Sequence, residues 1–256
     1  MENLKSKVRI KLTEKLEDLF SPRSKKALDV SRKEDRSFVT ELDIYISDLF
    51  KEELKNDPKY RDHHFFSEED HTTLAFPTCV LDPIDGTREL VRGSPECAVS
   101  MALMNSSNIE DPKNAAWIFS PFSGFSLDTD EAFCPTEKYK NSLLLGMVSR
   151  SEFDKGFFDP FLNINAKIVI TPRGSIAFKL GLLAAGACDF VLSLSPKNIW
   201  DIAAGTILCS KRGIYLYQNG ARITELSSVN IKGPLLWATE SVASELFVHF
   251  KNEKNS

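Results

Sequence analysis

Hydrophobic residues recur at helical spacing in two places near the start of the chain. The first stripe runs from Leu4 to Phe20 among charged residues, and it predicts an amphipathic helix that packs on a core. The second stripe begins near Thr40 and runs to Phe50. Residues 56–64 contain a proline and many polar side chains, so the second helix is predicted to end there.

Beyond residue 64, short apolar runs alternate with helical patterns, and Pro and Gly clusters separate several of them. The predicted strands are Cys79–Leu81, Ala98–Met104, Ala115–Phe119, Leu143–Val148, Ile168–Ile170, Phe190–Leu194, Ile214–Tyr217 and Leu235–Thr239. The predicted helices are Ser175–Ala187, Asp201–Lys211 and Val242–Lys251, with a polar hairpin loop at 105–114. This order indicates a mixed α/β protein without internal repeats.

The composition is typical of a globular protein: 256 residues, 42% hydrophobic and 27% charged. One large domain and two fused lobes both fit this length. The net charge of −4 argues against nucleic acid or an anionic membrane as the main partner. A phosphorylated substrate is not excluded, because a bound cation reverses the local sign of the charge.

The cysteines are scattered, odd in number and without a C-x-x-C pair. They are Cys79, Cys97, Cys134, Cys188 and Cys209. We interpret them as free thiols in a reducing compartment. No apolar signal core or membrane-spanning run is visible, so we expect a cytoplasmic protein.

Four acidic segments stand out: 33–43, 67–70, 82–87 and 198–205. Each has an ordinary structural explanation. Thr40 and Asp43 have the spacing of a capping box, and the segment from Ser67 is explained by a solvated turn. The segment from Asp82 is rich in turn-forming residues, and Asp201 is explained by a helix dipole.

The segment Asp82-Pro-Ile-Asp-Gly-Thr87 is harder to explain by structure alone. Two carboxylates that follow a buried strand repel each other and lose hydration, and a hard divalent cation offsets both costs. The Ile84 carbonyl is placed to face the same ion. Gly86 and Thr87 then open a helix whose free N–H groups face an anion.

The four segments, in this order, resemble the inositol monophosphatase family of lithium-sensitive, magnesium-dependent phosphatases. D-P-I-D-G-T and W-D-I-A-A-G carry most of the resemblance. It implies a layered α-β-α-β-α sugar-phosphatase sandwich of the α+β / α/β type. It also implies one domain, 1–256, with an N-terminal α+β lobe at 1–137, a C-terminal α/β lobe at 138–256, and the active site between them.

The resemblance also implies the roles of individual residues. The expected ligands of two or three Mg²⁺ ions are Glu68, Asp82, the Ile84 carbonyl, Asp85 and Asp201. Thr87, with Glu68, is expected to orient the attacking water, and Asp43 is expected to bond Thr87. Residues expected to contact the substrate are Asp85, Gly86, Thr87, Gly174, Ser175 and Asp201.

Three segments resemble the 3'(2'),5'-bisphosphate nucleotidase branch of the family: the run from Lys33 to Asp43, S-E-E-D, and P-K-N-I-W-D. Leu194 stands where inositol phosphatases carry a glutamate that binds inositol hydroxyls. The resemblance therefore favours removal of the 3'-phosphate from adenosine 3',5'-bisphosphate. Inositol-1-phosphate is the alternative, followed by a broad range of sugar phosphates and by a non-catalytic binding protein of the same fold.

The expected partner is a small phosphorylated metabolite, and a homodimer is an open alternative to a monomer. A transition-metal site at His63, His64 and His71 is less favoured than an exposed loop. Trp200 is interpreted as packing beneath the helix of Asp201 rather than stacking on substrate. Arg173 and Lys197 are candidate ligands of a second phosphate.

Overall fold

Two β-sheets with helices between them and on their outer faces form the framework of the protein. The computed structural model describes residues 1–20, 28–33, 38–71, 73–132, 143–159 and 167–252. The helices are α1 (Glu2–Phe20), α2 (Glu41–Asn56), α3 (Thr87–Val91), α4 (Arg150–Phe153), α5 (Ile176–Ala184), α6 (Ile199–Ser210) and α7 (Glu240–Asn252). The strands are β1 (Val30–Arg32), β2 (Phe38–Thr40), β3 (His64–Ser67), β4 (Thr78–Asp85), β5 (Ala98–Met104), β6 (Ala115–Ser120), β7 (Phe125–Asp128), β8 (Leu144–Ser149), β9 (Ile168–Arg173), β10 (Phe190–Ser193), β11 (Lys197–Asn198), β12 (Tyr215–Gln218), β13 (Ala221–Arg222), β14 (Asn230–Ile231) and β15 (Leu235–Ala238).

The first sheet has five strands in the order β3-β4-β5-β6-β7. Strands β3 and β4 are parallel, and the remaining neighbours are antiparallel. One face packs against the apolar stripes of α1 and α2, where Leu12, Ile46 and Trp117 share a buried cluster. The apolar residues that predicted these two helices therefore form the outer core of this sheet.

The second sheet has six strands in the order β13-β12-β15-β10-β8-β9. Helices α5 and α6 lie between the two sheets, in a cluster that includes Ile118, Ile202 and Trp237. Helix α7 covers the opposite face through Ala243 and Leu246. The layers therefore alternate as α-β-α-β-α, which confirms the predicted fold.

The strands that the sequence analysis missed are short or carry few apolar residues. Strands β1 and β2 pair as a hairpin, β7 lies at an edge of the first sheet, and β3 has only four residues. The predicted lobe boundary at 137/138 lies outside the described residues and stays a prediction. The position of Cys134 also lies outside the described residues, whereas Cys79, Cys97, Cys188 and Cys209 are buried thiols outside any disulfide.

Within the described residues, no helix is both long enough and apolar enough to cross a bilayer.

Candidate active site

The start of α2 fixes the position of Asp43. Asp43 Oδ2 accepts hydrogen bonds from Thr40 N at 2.7 Å and Thr40 Oγ1 at 2.6 Å. Thr40 Oγ1 in turn accepts from Leu42 N at 3.2 Å, so the predicted capping box is present. The carboxyl of Asp43 is buried, and its Oδ1 faces the hydroxyl of Thr87 at 3.4 Å.

The end of β4 brings Asp82 and Asp85 into the interior. The pairing of β4 with β5 shifts register between these two residues, at the segment that contains Pro83. The bulge leaves Asp82 only 1% exposed. Its Oδ1 is buried and has no hydrogen-bond partner among the described residues.

Asp201 comes from the first turn of α6, more than a hundred residues further along the chain. Its Oδ2 accepts from Asn198 N at 2.8 Å, and Ser100 Oγ of β5 donates to Trp200 O at 3.1 Å. The first bond caps α6, and the second holds this helix against the first sheet. As a result, one carboxylate oxygen from each of Asp82, Asp85 and Asp201 lies within 4.8 Å of the others.

Glu68 follows the parallel strand β3, and its backbone N–H donates to Leu81 O at 3.1 Å. Its carboxylate accepts from Lys33 Nζ at 2.7 Å, and the same ammonium donates to Glu69 at 2.5 Å. Glu68 lies next to the three aspartates, but it is not a member of their cluster. Lys33 therefore pairs with both carboxylates of this segment.

The electrostatics of the cluster favour its neutral form when no cation is bound. Burial raises the pKa of Asp82 well above its usual range, and the charges of Glu68 and Asp85 raise it further. Burial and the charge of Asp85 raise the pKa of Asp201 to about 7. Burial likewise raises the pKa of Glu68, against the opposing effect of Lys33.

These residues fit Mg²⁺. The donors are hard carboxylate oxygens, the ligand that Mg²⁺ prefers. The buried Asp82 Oδ1 lacks a protein partner, and a cation would compensate both this and the mutual repulsion of the carboxylates. Asp82, Asp85 and Asp201 would hold the ion, with Glu68 next to them.

The raised pKa of Asp201 predicts how the stability of the metal-free protein depends on pH. Its ordinary pKa is 3.8 and its folded pKa is about 7, so the folded state binds more protons between these values. Stability is therefore present at low pH and is lost as pH rises through 7. We expect the free energy of unfolding, measured with denaturant in a chelator, to fall as the pH rises from 4 to 8. Mg²⁺ should reverse the loss, and Asp201→Asn should flatten the profile; an unchanged profile in that variant would contradict the assignment.

Thr87 opens α3 and contacts its predicted partner Asp43 and also the Ile84 carbonyl. Its Oγ1 lies 2.9 Å from the Ile84 carbonyl oxygen and 3.4 Å from Asp43 Oδ1. Both are acceptors, so the hydroxyl donates its one proton to this side, and its lone pairs remain available to accept. The Ile84 carbonyl is therefore engaged by Thr87, and its predicted role as a metal ligand stays a prediction.

Gly86 joins β4 to α3 where the two sheets approach each other. Its φ of +92° lies in the left-handed region, and a Cβ there would be 3.0 Å from Glu96 O and 3.1 Å from the Ser175 Cβ. At Gly174 a Cβ would lie 2.4 Å from the Glu89 side chain. Both glycines thus allow the close approach that closes one side of the site.

Ser175 binds Asp85 directly. Its Oγ donates to Asp85 Oδ2 at 2.6 Å, and Ala177 N donates to the same oxygen at 2.6 Å. The predicted substrate residue Ser175 is therefore also a hydrogen-bond partner of a predicted metal ligand.

A cavity of about 460 Å³ opens beside Asp85 and Asp201. Its lining contains seven Lys and Arg residues against four Asp and Glu residues. The cations are Arg88, Arg92, Arg150, Lys155, Arg173, Lys179 and Lys197. Gly86, Gly174 and Ser175 also line it. The site thus combines an acidic end, suited to cations, with a basic wall, suited to an anionic ligand.

Glu96 organises part of the basic wall. Its carboxylate accepts from Arg173 Nη1 at 2.8 Å and from Gly174 N at 2.8 Å, and it also pairs with Arg150. The sequence analysis missed Glu96, Arg150 and Lys179. Their positions in a loop, at a strand end and within an apolar helix carry no local pattern that indicates an active site.

The remaining aromatic and histidine residues lie away from the cavity. Trp200 is 7% exposed and packs against Phe66 and His71, which confirms the packing interpretation. His64 is exposed as predicted, but it lies in β3 rather than in a loop. Among the described residues, no histidine belongs to a cluster with metal-ligand geometry.

The model of the inositol monophosphatase family matches residues 1–240. Inositol monophosphatase 3 of Solanum lycopersicum is 26% identical over 240 residues, covering 84% of each chain. The Nus factor SuhB of Xylella fastidiosa is 28% identical over 206 residues, covering 74% of this chain and 72% of its own.

Solved structures agree on the fold. An IMPase of Thermotoga maritima superposes with a TM-score of 0.73 at 20% identity, covering 98% of both chains. An IMPase/NADP phosphatase complexed with Mg²⁺ and phosphate gives 0.71 at 14% identity, covering 95% of this chain and 93% of its own. CysQ of Bacteroides thetaiotaomicron gives 0.60 at 18% identity, covering 77% and 83%.

The fold and the acidic cluster define a metal-dependent phosphatase that acts on small phosphorylated substrates. The chain belongs to the inositol monophosphatase family, whose members are magnesium-dependent phosphoric monoester hydrolases. The fold and activity implied by the four sequence segments are thereby confirmed.

Proposed function

We propose that this chain removes the 3'-phosphate of adenosine 3',5'-bisphosphate. The observation that carries the proposal is the uncompensated charge of the cavity wall. Arg150 and Arg173 are paired with Glu96, but among the described residues no carboxylate forms an ion pair with Arg88, Lys155 or Lys197. A ligand with a second phosphate would supply the missing negative charge.

In this proposal, the reacting phosphate lies between the acidic cluster and the start of α3. Bound Mg²⁺ lowers the pKa of water and stabilises the charge on the leaving oxygen. Thr87 donates its proton towards Asp43 and the Ile84 carbonyl, so it can only accept from the attacking water and thereby orients it. The first backbone N–H groups of α3, at Gly86 and Thr87, hold the phosphoryl oxygens. Two or three ions, with Glu68 as a further ligand, complete the proposed site.

The adenine ring would meet Ile176 and the flat faces of the arginines. No aromatic side chain is present among the described lining residues, so Trp200, which packs against Phe66 and His71, does not meet the ring in this cavity. Guanidinium planes also stack on bases. A volume of about 460 Å³ lies within the usual range for a small-molecule site.

Inositol-1-phosphate is the second candidate, and a specific observation favours it. Ser149, Ser151 and Ser193 line the cavity and offer hydroxyls to a polyol. Leu194, in contrast, packs with the hydrophobic cluster beneath α7 and does not line the cavity. The charged hydrogen bonds available to a second phosphate outweigh the neutral ones available to inositol.

The two candidates make opposite predictions in one assay. We expect kcat/KM for adenosine 3',5'-bisphosphate to be at least about tenfold above that for inositol-1-phosphate, or about 1.4 kcal/mol. Phosphate release should require Mg²⁺ and should be inhibited by Li⁺ at millimolar levels. Adenosine 3'-monophosphate lacks the second phosphate, so its kcat/KM shows what that phosphate contributes. Fructose 1,6-bisphosphate tests whether the protein is a broad sugar phosphatase. Equal or reversed preference would place the chain with the inositol phosphatases.

Lys197→Gln tests the proposed phosphate ligand, with Lys113→Gln in the distant 105–114 loop as the matched control. Loss of one charged hydrogen bond should lower kcat/KM for the bisphosphate roughly tenfold and leave the monophosphate within about twofold. A parallel loss on both substrates would show that Lys197 does not recognise the second phosphate.

A further inference from the structure

Lys179 is a buried lysine beside the active site that no motif explains. It lies on α5 and is 2% exposed. Its Nζ donates to the backbone carbonyls of Arg173 at 3.2 Å, Gly174 at 3.1 Å and Ser175 at 3.0 Å. An ammonium has three N–H donors, and all three are used within one turn of the chain.

The turn that Lys179 binds has an unfavourable backbone conformation. Ser175 has φ of +45°, in the left-handed region that is unfavourable for a non-glycine residue. Three successive carbonyl oxygens also converge on one point, where their dipoles repel one another without a cation. The ammonium of Lys179 offsets this repulsion and holds the turn in place.

The same turn fixes Asp85. Both hydrogen bonds to Asp85 Oδ2, from Ser175 Oγ and Ala177 N, originate in this turn and the first residues of α5. Asp85 belongs to the cluster with Asp82 and Asp201. A connected path therefore leads from Lys179, through the backbone of residues 173–175, to a carboxylate of the cluster.

We propose that Lys179 is a positioning residue for the metal cluster. It locks the 173–175 turn, and the turn sets the orientation of the Asp85 carboxylate. The inference rests on the proposed role of Asp85 as a metal ligand. Removing a hydrogen-bond partner of a metal ligand typically changes metal affinity by about 10- to 100-fold, and Lys179 holds the turn that supplies one such partner of Asp85, the hydroxyl of Ser175.

Burial lowers the pKa of Lys179 to about 8, and the charge of Asp85 opposes this shift. The ammonium is therefore the main form at neutral pH, as its three carbonyl partners require.

The test measures Mn²⁺ binding to the full chain by electron paramagnetic resonance, without substrate. We expect Lys179→Met to raise the Mn²⁺ dissociation constant at least about tenfold and to lower kcat, with KM at saturating metal changed by less than about threefold. Lys179→Arg, which keeps the charge and donors, should recover part of the affinity. Lys5→Met removes a buried lysine that pairs with Asp128 on the first sheet, and it should leave Mn²⁺ affinity unchanged.

Ser175→Ala keeps the test valid if the Lys179 variants do not fold. It removes one hydrogen bond to Asp85 without disturbing a buried charge, and it should also weaken Mn²⁺ binding. In a folded double variant, the two losses should be less than additive, because both act on the same carboxylate.

Two results would overturn the proposal. One is an unchanged Mn²⁺ affinity in a folded Lys179→Met variant or, if no Lys179 variant folds, an unchanged affinity in Ser175→Ala. The other is a rise in KM alone, which would make Lys179 a substrate contact in the cavity. A wild-type protein that binds Mn²⁺ but does not hydrolyse the bisphosphate would instead refute the proposed substrate and leave this inference standing.

Discussion

Asp82→Asn is expected to abolish phosphate release while the protein remains folded. Asp82 is 1% exposed, and its Oδ1 has no partner among the described residues. Asparagine has the same shape but lacks the charge that a divalent cation needs. Weakening a metal that stabilises the transition state by several kcal/mol should lower kcat by at least about 10³-fold at saturating Mg²⁺.

The free energy of unfolding, unlike turnover, should not fall in this variant. In the metal-free protein, burial and the charges of Glu68, Asp85 and Asp201 all disfavour a charge on Asp82, so replacing it with a neutral amide should leave stability unchanged or raise it. Steady-state kinetics and urea denaturation in a chelator measure the two effects separately. Asp62→Asn, at a side chain that is 90% exposed, is the matched control and should affect neither. Near-normal turnover of Asp82→Asn at high Mg²⁺ would remove Asp82 from the metal site.

Thr87→Ala is expected to lower kcat by about 100-fold and to change KM by less than about threefold. The hydroxyl lies 2.9 Å from the Ile84 carbonyl and 3.4 Å from Asp43 Oδ1, and both can only accept its proton. The oxygen is then restricted to accepting from the water. An interaction of this kind matters most when the water attacks, so its loss should appear in the transition state.

Thr87→Ser keeps the hydroxyl and is the matched control, and it should retain most of the activity. Burial raises the pKa of Asp43 despite the hydrogen bonds from Thr40 that lower it. Because Asp43 bonds the hydroxyl of Thr87, Asp43→Asn should reproduce part of the Thr87→Ala defect. Michaelis–Menten analysis of the variants on one substrate separates the alternatives. A rise in KM without a fall in kcat would make Thr87 a binding residue.

Features that depend on residues close together in the chain could be predicted from the sequence. Thr40 and Asp43 start α2 because a capping box satisfies the first N–H groups within three residues. Ala98–Met104 is a strand at the predicted bounds, because a continuous apolar run matches a strand that is buried throughout. The acidic segments were identified by their spacing, and the order of the four segments indicated the family.

The missed strands show the limit of such patterns. His64–Ser67 pairs in parallel with β4, yet its four residues include only two apolar side chains. Its stability comes from a neighbour in the sheet rather than from its own periodicity.

The tertiary structure brings the residues of the site together. Spacing within one segment placed Asp82 beside Asp85, but only the packing of α6 against the first sheet brings Asp201 within 4.8 Å of them. Likewise, the basic wall and the contact of Lys179 with the 173–175 turn join residues from separate loops, strands and helices. The sequence by itself therefore indicated the larger elements, the family and the candidate acidic ligands, because these depend on residues near one another in the chain. Their separation in space, their pKa values and the shape of the cavity depend on burial and on distant neighbours, and only the folded chain determines these.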